Sequence, residues 1–122
     1  MGLHRLTIIS TAAGDVAPEA VDAMAAELAD LSLHTDVGGV LFYNGVNFLH
    51  AIEGDRRALD AVLDRIKSDR RCSGVIVLAT EPIGERSLAR GWELWSAAML
   101  SGDRPIPSAL QPFVEGFSKL GG

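Results

Sequence analysis

The apolar stretch VNFLHAIEGD, residues 46–55, carries a single histidine, His50, between a leucine and an alanine. An imidazole in such a place can serve as a proton carrier, a ligand or a hydrogen-bonded core residue. Side chains alternate between the two faces of a strand, so His50 shares a face with Phe48 and Ile52 and is expected to be at least partly buried. A buried imidazole needs a hydrogen-bond partner. We interpret His50 as a core histidine bonded to a backbone carbonyl or to a side chain of the first helix, with contact to a ligand as the alternative.

The other reactive side chains form no constellation that supports catalysis. Cys72 is the single cysteine, and no second cysteine or paired histidine accompanies it to make a metal site or an activated nucleophile. His4 and His34 are expected at the surface. A group of arginines that flanks the second predicted helix is interpreted as a solvated rim rather than a phosphate site: Arg56, Arg57, Arg70 and Arg71. The sequence therefore predicts a protein that is not an enzyme. A small enzyme, the weakest alternative, would need a nucleophile or an acid–base pair meeting in a cleft.

Composition and charge exclude several classes of protein. The 122 residues are 48% hydrophobic and 22% charged, which is typical of one globular domain. A net charge of -5 at pH 7 argues against binding to nucleic acid, which needs a basic face. No run approaches the roughly 20 apolar residues that cross a bilayer, and the start MGLHRLTIIS lacks the features of a secretory signal. We expect a soluble cytoplasmic domain with neither a nucleic-acid nor a membrane partner.

Apolar periodicity predicts the first half of the secondary structure. A β-branched run at residues 3–10 predicts a strand. A helix is expected from Pro18, a residue suited to the first helical turn. Its apolar stripe is formed by Val21, Met24, Leu28 and Leu31. Asn44 and Gly45 then lie between two apolar runs, which is the strongest local signal of a β-hairpin. These elements give the order β-α-β-β.

The second half of the pattern completes a known arrangement. Asp55 is suited to cap a second helix. The buried stripe of that helix is formed by Leu59, Val62, Leu63 and Ile66. A further strand is expected at residues 73–83. The order β-α-β-β-α-β predicts a ferredoxin-like α+β fold, with both helices on one face of the sheet.

The C-terminal part of the chain is expected to cover the other face of the sheet. Residues 86–99 fit either a strand or a short helix, and a helix is expected over residues 108–120. The second sheet face is formed by Thr7, Ile9, Leu49 and Ala51. Since this face is largely apolar, we expect the C-terminal segment, a partner subunit or both to cover it. We divide the chain into a domain at residues 1–97 and a C-terminal strand or helix extension at residues 98–122, which packs on the sheet or on a partner.

Three motifs follow one another in the centre of the sequence. They are FLxxxEG at residues 48–54, Arg65-Ile66 in the following helix, and Asp69-x-Arg71 at its end. With the flanking strands, they make the chain from Leu3 to Arg86, and on to Trp95, resemble a BLUF domain, the blue-light sensor module that uses a flavin. The resemblance implies the fold expected above, a role in signal transduction and a site for FAD or FMN.

Several positions that contact the flavin in the family carry other residue types in this chain. The resemblance assigns a tyrosine and a glutamine of the light-sensitive hydrogen-bond relay to the positions of Ile8 and His50. Isoleucine has no hydroxyl that could donate an electron and a proton, and an imidazole lacks the two exchangeable ends of an amide. A pair of ring-binding asparagines falls on Leu31 and Ser32, and a histidine falls on Cys72.

Other positions of the family site are retained. Arg65, Asp69 and Arg71 match positions near the ribityl and phosphate end of the flavin, while Met24 and Ile66 can form an apolar slot for the ring. The candidate cofactor-binding residues are Ile8, Met24, Ser32, His50, Arg65, Ile66, Asp69 and Arg71. The loss of about two to four hydrogen bonds, each worth roughly 0.5 to 1.5 kcal/mol, predicts flavin binding weakened by several orders of magnitude.

These changes predict a degenerate BLUF-like sensory or regulatory domain. We expect it to bind FAD or FMN weakly or not at all and to lack blue-light photochemistry. It would then act through protein contacts, as a homodimer or with a regulatory protein partner. The alternative is a working, FAD-binding blue-light photoreceptor in which His50 and another donor replace the usual relay.

Overall fold

The computed structural model of the protein describes residues 2–14, 16–88, 92–96 and 110–114, with only the backbone of Pro18 and of residues 92–96. Five strands and two helices lie in this part of the chain. In order, they are β1 (Leu3–Ala12), α1 (Pro18–Thr35), β2 (Gly38–Tyr43), β3 (Asn47–Asp55), α2 (Arg56–Lys67), β4 (Cys72–Ile83) and β5 (Trp92–Ser96). A further helical turn spans residues 110–114.

The strands form one sheet in the order β4-β1-β3-β2-β5. β1 pairs antiparallel with both β3 and β4, and β2 pairs antiparallel with β3. The predicted ferredoxin-like α+β fold is therefore confirmed. β5 extends the sheet by pairing parallel with β2. Residues 86–99 were expected to form either a strand or a short helix. Within this range, the backbone of residues 92–96 is a strand.

Both helices begin where the sequence predicts. α1 has Pro18 in its first turn and no side-chain cap, and it ends at Asp36, whose φ of 57° is left-handed. α2 is capped by Asp55, whose carboxylate accepts a hydrogen bond of 2.8 Å from the backbone N–H of Arg57. In the described part of the chain, neither helix combines the length and apolarity needed to cross a membrane.

The hairpin between β2 and β3 forms at the predicted Asn-Gly pair. The side-chain oxygen of Asn44 accepts hydrogen bonds from the backbone N–H groups of Val46, at 2.9 Å, and Asn47, at 2.7 Å. Gly45 has a φ of 97°, a conformation that side chains with a Cβ rarely adopt. The turn fixes the register that places Leu41 of β2 opposite His50 of β3.

The main core lies between the helices and one face of the sheet. α1 contributes Val21, Met24 and Leu28, while α2 contributes Leu59, Val62 and Ile66, all of them buried. The sheet supplies Leu6, Ile8, Leu41, Phe48 and Ile52. His50 lies on this face of β3 between Phe48 and Ile52, as the alternation of the strand predicts.

The second face of the sheet carries a separate apolar cluster. Its sheet residues are Val40, Phe42, Leu49 and Ala51, and it is covered by Leu88, Leu110 and Val114. Leu49 and Ala51 are fully buried within this single chain, so the apolar surface expected there is closed by the chain's own segments. Phe117 and the two tryptophan side chains lie outside the described residues. The division of the chain at residues 97 and 98 stays a prediction.

Candidate functional site

A narrow cavity lies between α1, α2 and the sheet. Six of the eight predicted site residues line it: Met24, His50, Arg65, Ile66, Asp69 and Arg71. Its wall is completed by Glu27, Leu28, Leu31 and Cys72. The cavity has a volume of about 20 Å³, which is room for about one water molecule. We refer to it as the slot.

Two of the predicted site residues do not line the slot. Ile8 is fully buried in the main core and pairs directly with His50 across β1 and β3. The hydroxyl of Ser32 donates a hydrogen bond of 2.7 Å to the carbonyl oxygen of Ala29 in its own helix. At about 100° per residue, Ser32 is turned by about 80° from Met24 around the helix axis, whereas Leu31 is turned by only about 20°.

The same helical arithmetic could have found a residue that the sequence reasoning missed. Glu27 lies about 60° from Met24 around the axis of α1, on the side away from Ser32. It lines the slot and places a carboxylate beside Arg71. The helical wall of the slot is therefore apolar at Leu28 and Leu31 and acidic at Glu27.

His50 is buried, with only 1% of its surface exposed. Its ring lies 6.4 Å from the ring of Phe48, centroid to centroid. Burial disfavours the imidazolium cation and lowers the pKa of His50 to about 4, although the nearby Asp69 carboxylate acts in the opposite direction. At pH 7 the ring is neutral, so it presents one donor and one acceptor nitrogen that cannot exchange roles in the way that an amide can by rotating.

Arg71 is engaged by two carboxylates. Its Nε and Nη2 atoms donate hydrogen bonds of 2.8 and 2.9 Å to the two oxygens of Asp69, and Nη2 also donates to Glu27 at 2.8 Å. Burial raises the pKa of the Asp69 carboxyl, but the hydrogen bonds from Arg71 outweigh it and hold that pKa below its usual range. One positive and two negative charges thus leave this cluster with a net negative charge.

The Cys72 thiol stands beside this cluster. Burial raises the pKa of the thiol, so it stays protonated at pH 7 and is a poor nucleophile. In the part of the chain that the structure describes, no group of three or more histidine, cysteine, aspartate or glutamate residues could hold a metal ion.

A family model matches most of the chain. Residues 3–95 match the family model of BLUF, described as sensors of blue light using FAD. The chain belongs to the BLUF family. A BLUF domain is a flavin-based sensory module for blue light.

Solved structures and a curated relative agree with this assignment. The BLUF domain of BlrP1 from Klebsiella pneumoniae superposes with a TM-score of 0.80 at 22% identity and covers 100% of this chain and 93% of its own. BlrB, a BLUF protein in its dark state, gives a TM-score of 0.75 at 28% identity over 95% of this chain and 83% of its own. The photoactivated adenylate cyclase subunit beta of Euglena longa is 31% identical over 85 residues, which is 68% of this chain and 10% of that protein. The chain thus spans about a tenth of that relative.

The slot of this BLUF domain is small for a flavin. Pockets for ligands of this size measure about 300 to 1,000 Å³, whereas the slot measures about 20 Å³. The side chain of Ile8 offers no hydrogen bond at the relay, and the guanidinium of Arg71 already serves Asp69 and Glu27. Arg65, exposed on the wall of the slot, is the remaining cation among the described lining residues. The small volume disfavours binding of the flavin ring, and the pairing of Arg71 disfavours binding of its phosphate end.

A second polar cluster, which the sequence reasoning missed, lies where β3 ends. Glu53 is fully buried and its carboxylate receives hydrogen bonds of 3.0 Å from Arg5 Nε, 2.8 Å from the Ser87 hydroxyl and 2.8 Å from the Leu88 backbone N–H. Burial raises the pKa of Glu53, but these hydrogen bonds together hold it below its usual range. The sequence signal for this cluster is Arg5 within an apolar strand, because a buried arginine requires an acidic partner.

Proposed function

We propose that this BLUF domain has lost tight flavin binding and blue-light photochemistry and acts as a regulatory or assembly module through protein contacts. Its partner is a second copy of the chain or a regulatory protein, in the cytoplasm. The domain keeps the sensory fold, while the place where the family holds its chromophore is closed.

The closed slot is the observation that carries this proposal. Met24 and Leu28 of α1 and Ile66 of α2 are buried in one apolar cluster with the sheet, where a ring would have to be inserted. Opening the slot to admit a ring would expose this apolar surface to water, at a cost of roughly 25 cal/mol for each Å². Few hydrogen bonds are available to offset that cost.

The charge of the slot supports the same proposal. A flavin nucleotide carries phosphate, which binds best to unpaired cations. Arg71 is paired with Asp69 and Glu27 at 2.8 to 2.9 Å, so a phosphate would have to displace a carboxylate or approach it. The loss of electrostatic attraction adds to the loss of hydrogen bonds at the ring.

One arrangement favours the alternative of a photoreceptor with a modified relay. Five of the family positions, Met24, Arg65, Ile66, Asp69 and Arg71, still converge on the slot, and the Asp69 charge influences His50. In this alternative, His50 would take the place of the amide in the relay and FAD would be bound. It needs an electron and proton donor, and Ile8 cannot be that donor.

Absorbance separates the two functions. The full chain is purified from cells grown with excess riboflavin, and its spectrum is recorded in the dark and under blue light. A colourless protein supports the proposed function. Stoichiometric flavin retained through purification, with a red shift on illumination, would establish the photoreceptor instead.

The oligomeric state distinguishes between the two proposed partners, a second copy of the chain and another protein. Sedimentation of the full chain at micromolar concentrations gives twice the monomer mass if the partner is a second copy. A monomer at every accessible concentration removes the homodimer and leaves a regulatory protein of another sequence.

A further inference from the structure

Three consecutive residues after β4 are held by polar contacts to the far end of the sheet. Arg86 donates hydrogen bonds to the backbone carbonyl oxygens of Glu53, at 3.1 Å, and Asp36, at 2.8 Å. The backbone N–H groups of Ser87 and Leu88 donate to the two oxygens of the Glu53 carboxylate, the shortest at 3.0 and 2.8 Å. Residues 86–88 lie outside the strand ladders, so these contacts replace the pairing that holds the strands.

Most of these contacts end on Glu53, which forms an ion pair with Arg5. Arg5 and Glu53 approach to 2.9 Å, with 7% and 1% of their side chains exposed. The Ser87 hydroxyl stands between them, accepting a hydrogen bond of 2.6 Å from Arg5 and donating one of 2.8 Å to Glu53. Removal of the Glu53 charge would therefore weaken all the hydrogen bonds that residues 87 and 88 donate to Glu53.

Leu88, the last of these three residues, also covers part of the second sheet face. The Leu88 side chain is buried against Leu49 and Ala51, together with Leu110 and Val114. β5 begins four residues after Leu88 and pairs with β2 beside that cluster. The hydrogen bond from the Leu88 N–H to Glu53 thus fixes where the cover starts.

We propose that residues 86–88 form a strap that Glu53 latches to the sheet, and that release of this latch uncovers the second sheet face while α1, α2 and β1 to β4 stay folded. Among the described residues, α1 and α2 contribute side chains to the first apolar cluster and none to the second, so loss of the cover leaves the main core in place. This conformational device goes beyond the proposed function and does not depend on the loss of flavin.

Hydrogen exchange on the full chain tests the strap. Glu53→Gln removes the charge but keeps the shape, and Asp60→Asn is the matched control, since Asp60 is an exposed carboxylate that pairs with Arg56 in α2. In Glu53→Gln, the amides of residues 88, 92–96, 110, 111, 113 and 114 should exchange about tenfold faster, because hydrogen bonds to a charge are replaced by weaker ones. Those of β1 and α2 should be unchanged, and the control should match the parent chain throughout.

Two results would overturn the strap. Unchanged exchange at residues 88, 92–96, 110, 111, 113 and 114 would show that Glu53 does not hold the cover. A uniform increase that includes β1 and α2 would make Glu53 a support of the whole domain. If Glu53→Gln does not fold, Glu53→Asp decides the matter by the same criteria, since it keeps the charge but draws the carboxylate away from the backbone donors of residues 87 and 88.

Discussion

Two arginine–carboxylate clusters lie in different parts of this BLUF domain and differ in their access to water. At the slot, Arg71 is 30% exposed and its partners Asp69 and Glu27 are 19% and 48% exposed. At the end of β3, Arg5 and Glu53 are 7% and 1% exposed. Exposed pairs contribute little because water solvates the separated charges, whereas breaking a buried pair leaves a charge without solvent.

The difference shows which part of the domain can change without loss of the fold. The slot cluster rests at a solvated rim, so substitutions there alter the site and leave the sheet intact. The Glu53 cluster joins the side chains of Arg5 in β1 and Glu53 in β3 to the backbone of the segment after β4.

The largest effect is expected from removing each arginine in turn. Arg5→Ala leaves the Glu53 carboxylate buried without its cation, and we expect it to lower the free energy of unfolding by about 3 to 5 kcal/mol. Arg71→Ala removes a rim pair and should lower it by about 1 kcal/mol or less. Urea denaturation of both variants measures the two changes. Equal losses would contradict the comparison.

A smaller effect is expected from pH, through His50. The unfolded imidazole binds a proton below its ordinary pKa of 6.5, whereas the folded one does so only below about 4. Falling pH therefore favours the unfolded chain in this window, and stability should decrease by about 2 kcal/mol between pH 7 and about pH 5. The window lies above the range in which Glu53 and Asp69 take up protons, because both have lowered pKa values.

His50→Gln is the matched variant for this pH dependence. Glutamine does not titrate, so the decrease between pH 7 and about pH 5 should disappear, as measured by urea denaturation at both values. The same decrease in the variant and in the parent chain would show that another group is responsible.

The smallest effect is expected from the acidic wall of the slot. Glu27→Gln removes one of the two carboxylates on Arg71, and we expect the affinity for FMN to rise by about threefold, in line with the weak energies of exposed pairs. Asp30→Asn, also on α1 but away from the slot, is the control for a general change of charge. An equal rise in both variants, in a fluorescence titration, would mean that Glu27 has no specific influence.

The sequence was sufficient for the elements because their signals are local. Pro18, the Asn44-Gly45 pair and Asp55 each act within a few residues, and each lies where it was expected. The buried face of β3 followed from strand alternation alone. Local chemistry thus determined where the elements begin and end, and their order determined the fold.

The Glu53 cluster could not be found in the same way. Its contacts join residues that are far apart in the chain: Arg5 and Ser87 are separated by 82 positions, and Glu53 and Ser87 by 34. The FLxxxEG motif includes Glu53, but no local pattern connects it to a loop after β4. At the slot, Ser32 is turned away from the lining residues by its position on the helix, and Glu27 was overlooked because no motif contains it.

Flavin titration tests the central claim most directly, namely that the closed slot does not hold the chromophore of its family. The parent chain is compared with a variant that carries Ile8→Tyr, Leu31→Asn, Ser32→Asn and His50→Gln, with FAD and FMN as ligands and blue light applied at saturation. We predict that the parent chain binds either flavin no more tightly than about tens of micromolar and shows no light-induced shift, while the variant binds more tightly. Submicromolar binding by the unmodified chain, with a red shift under blue light, would contradict the account.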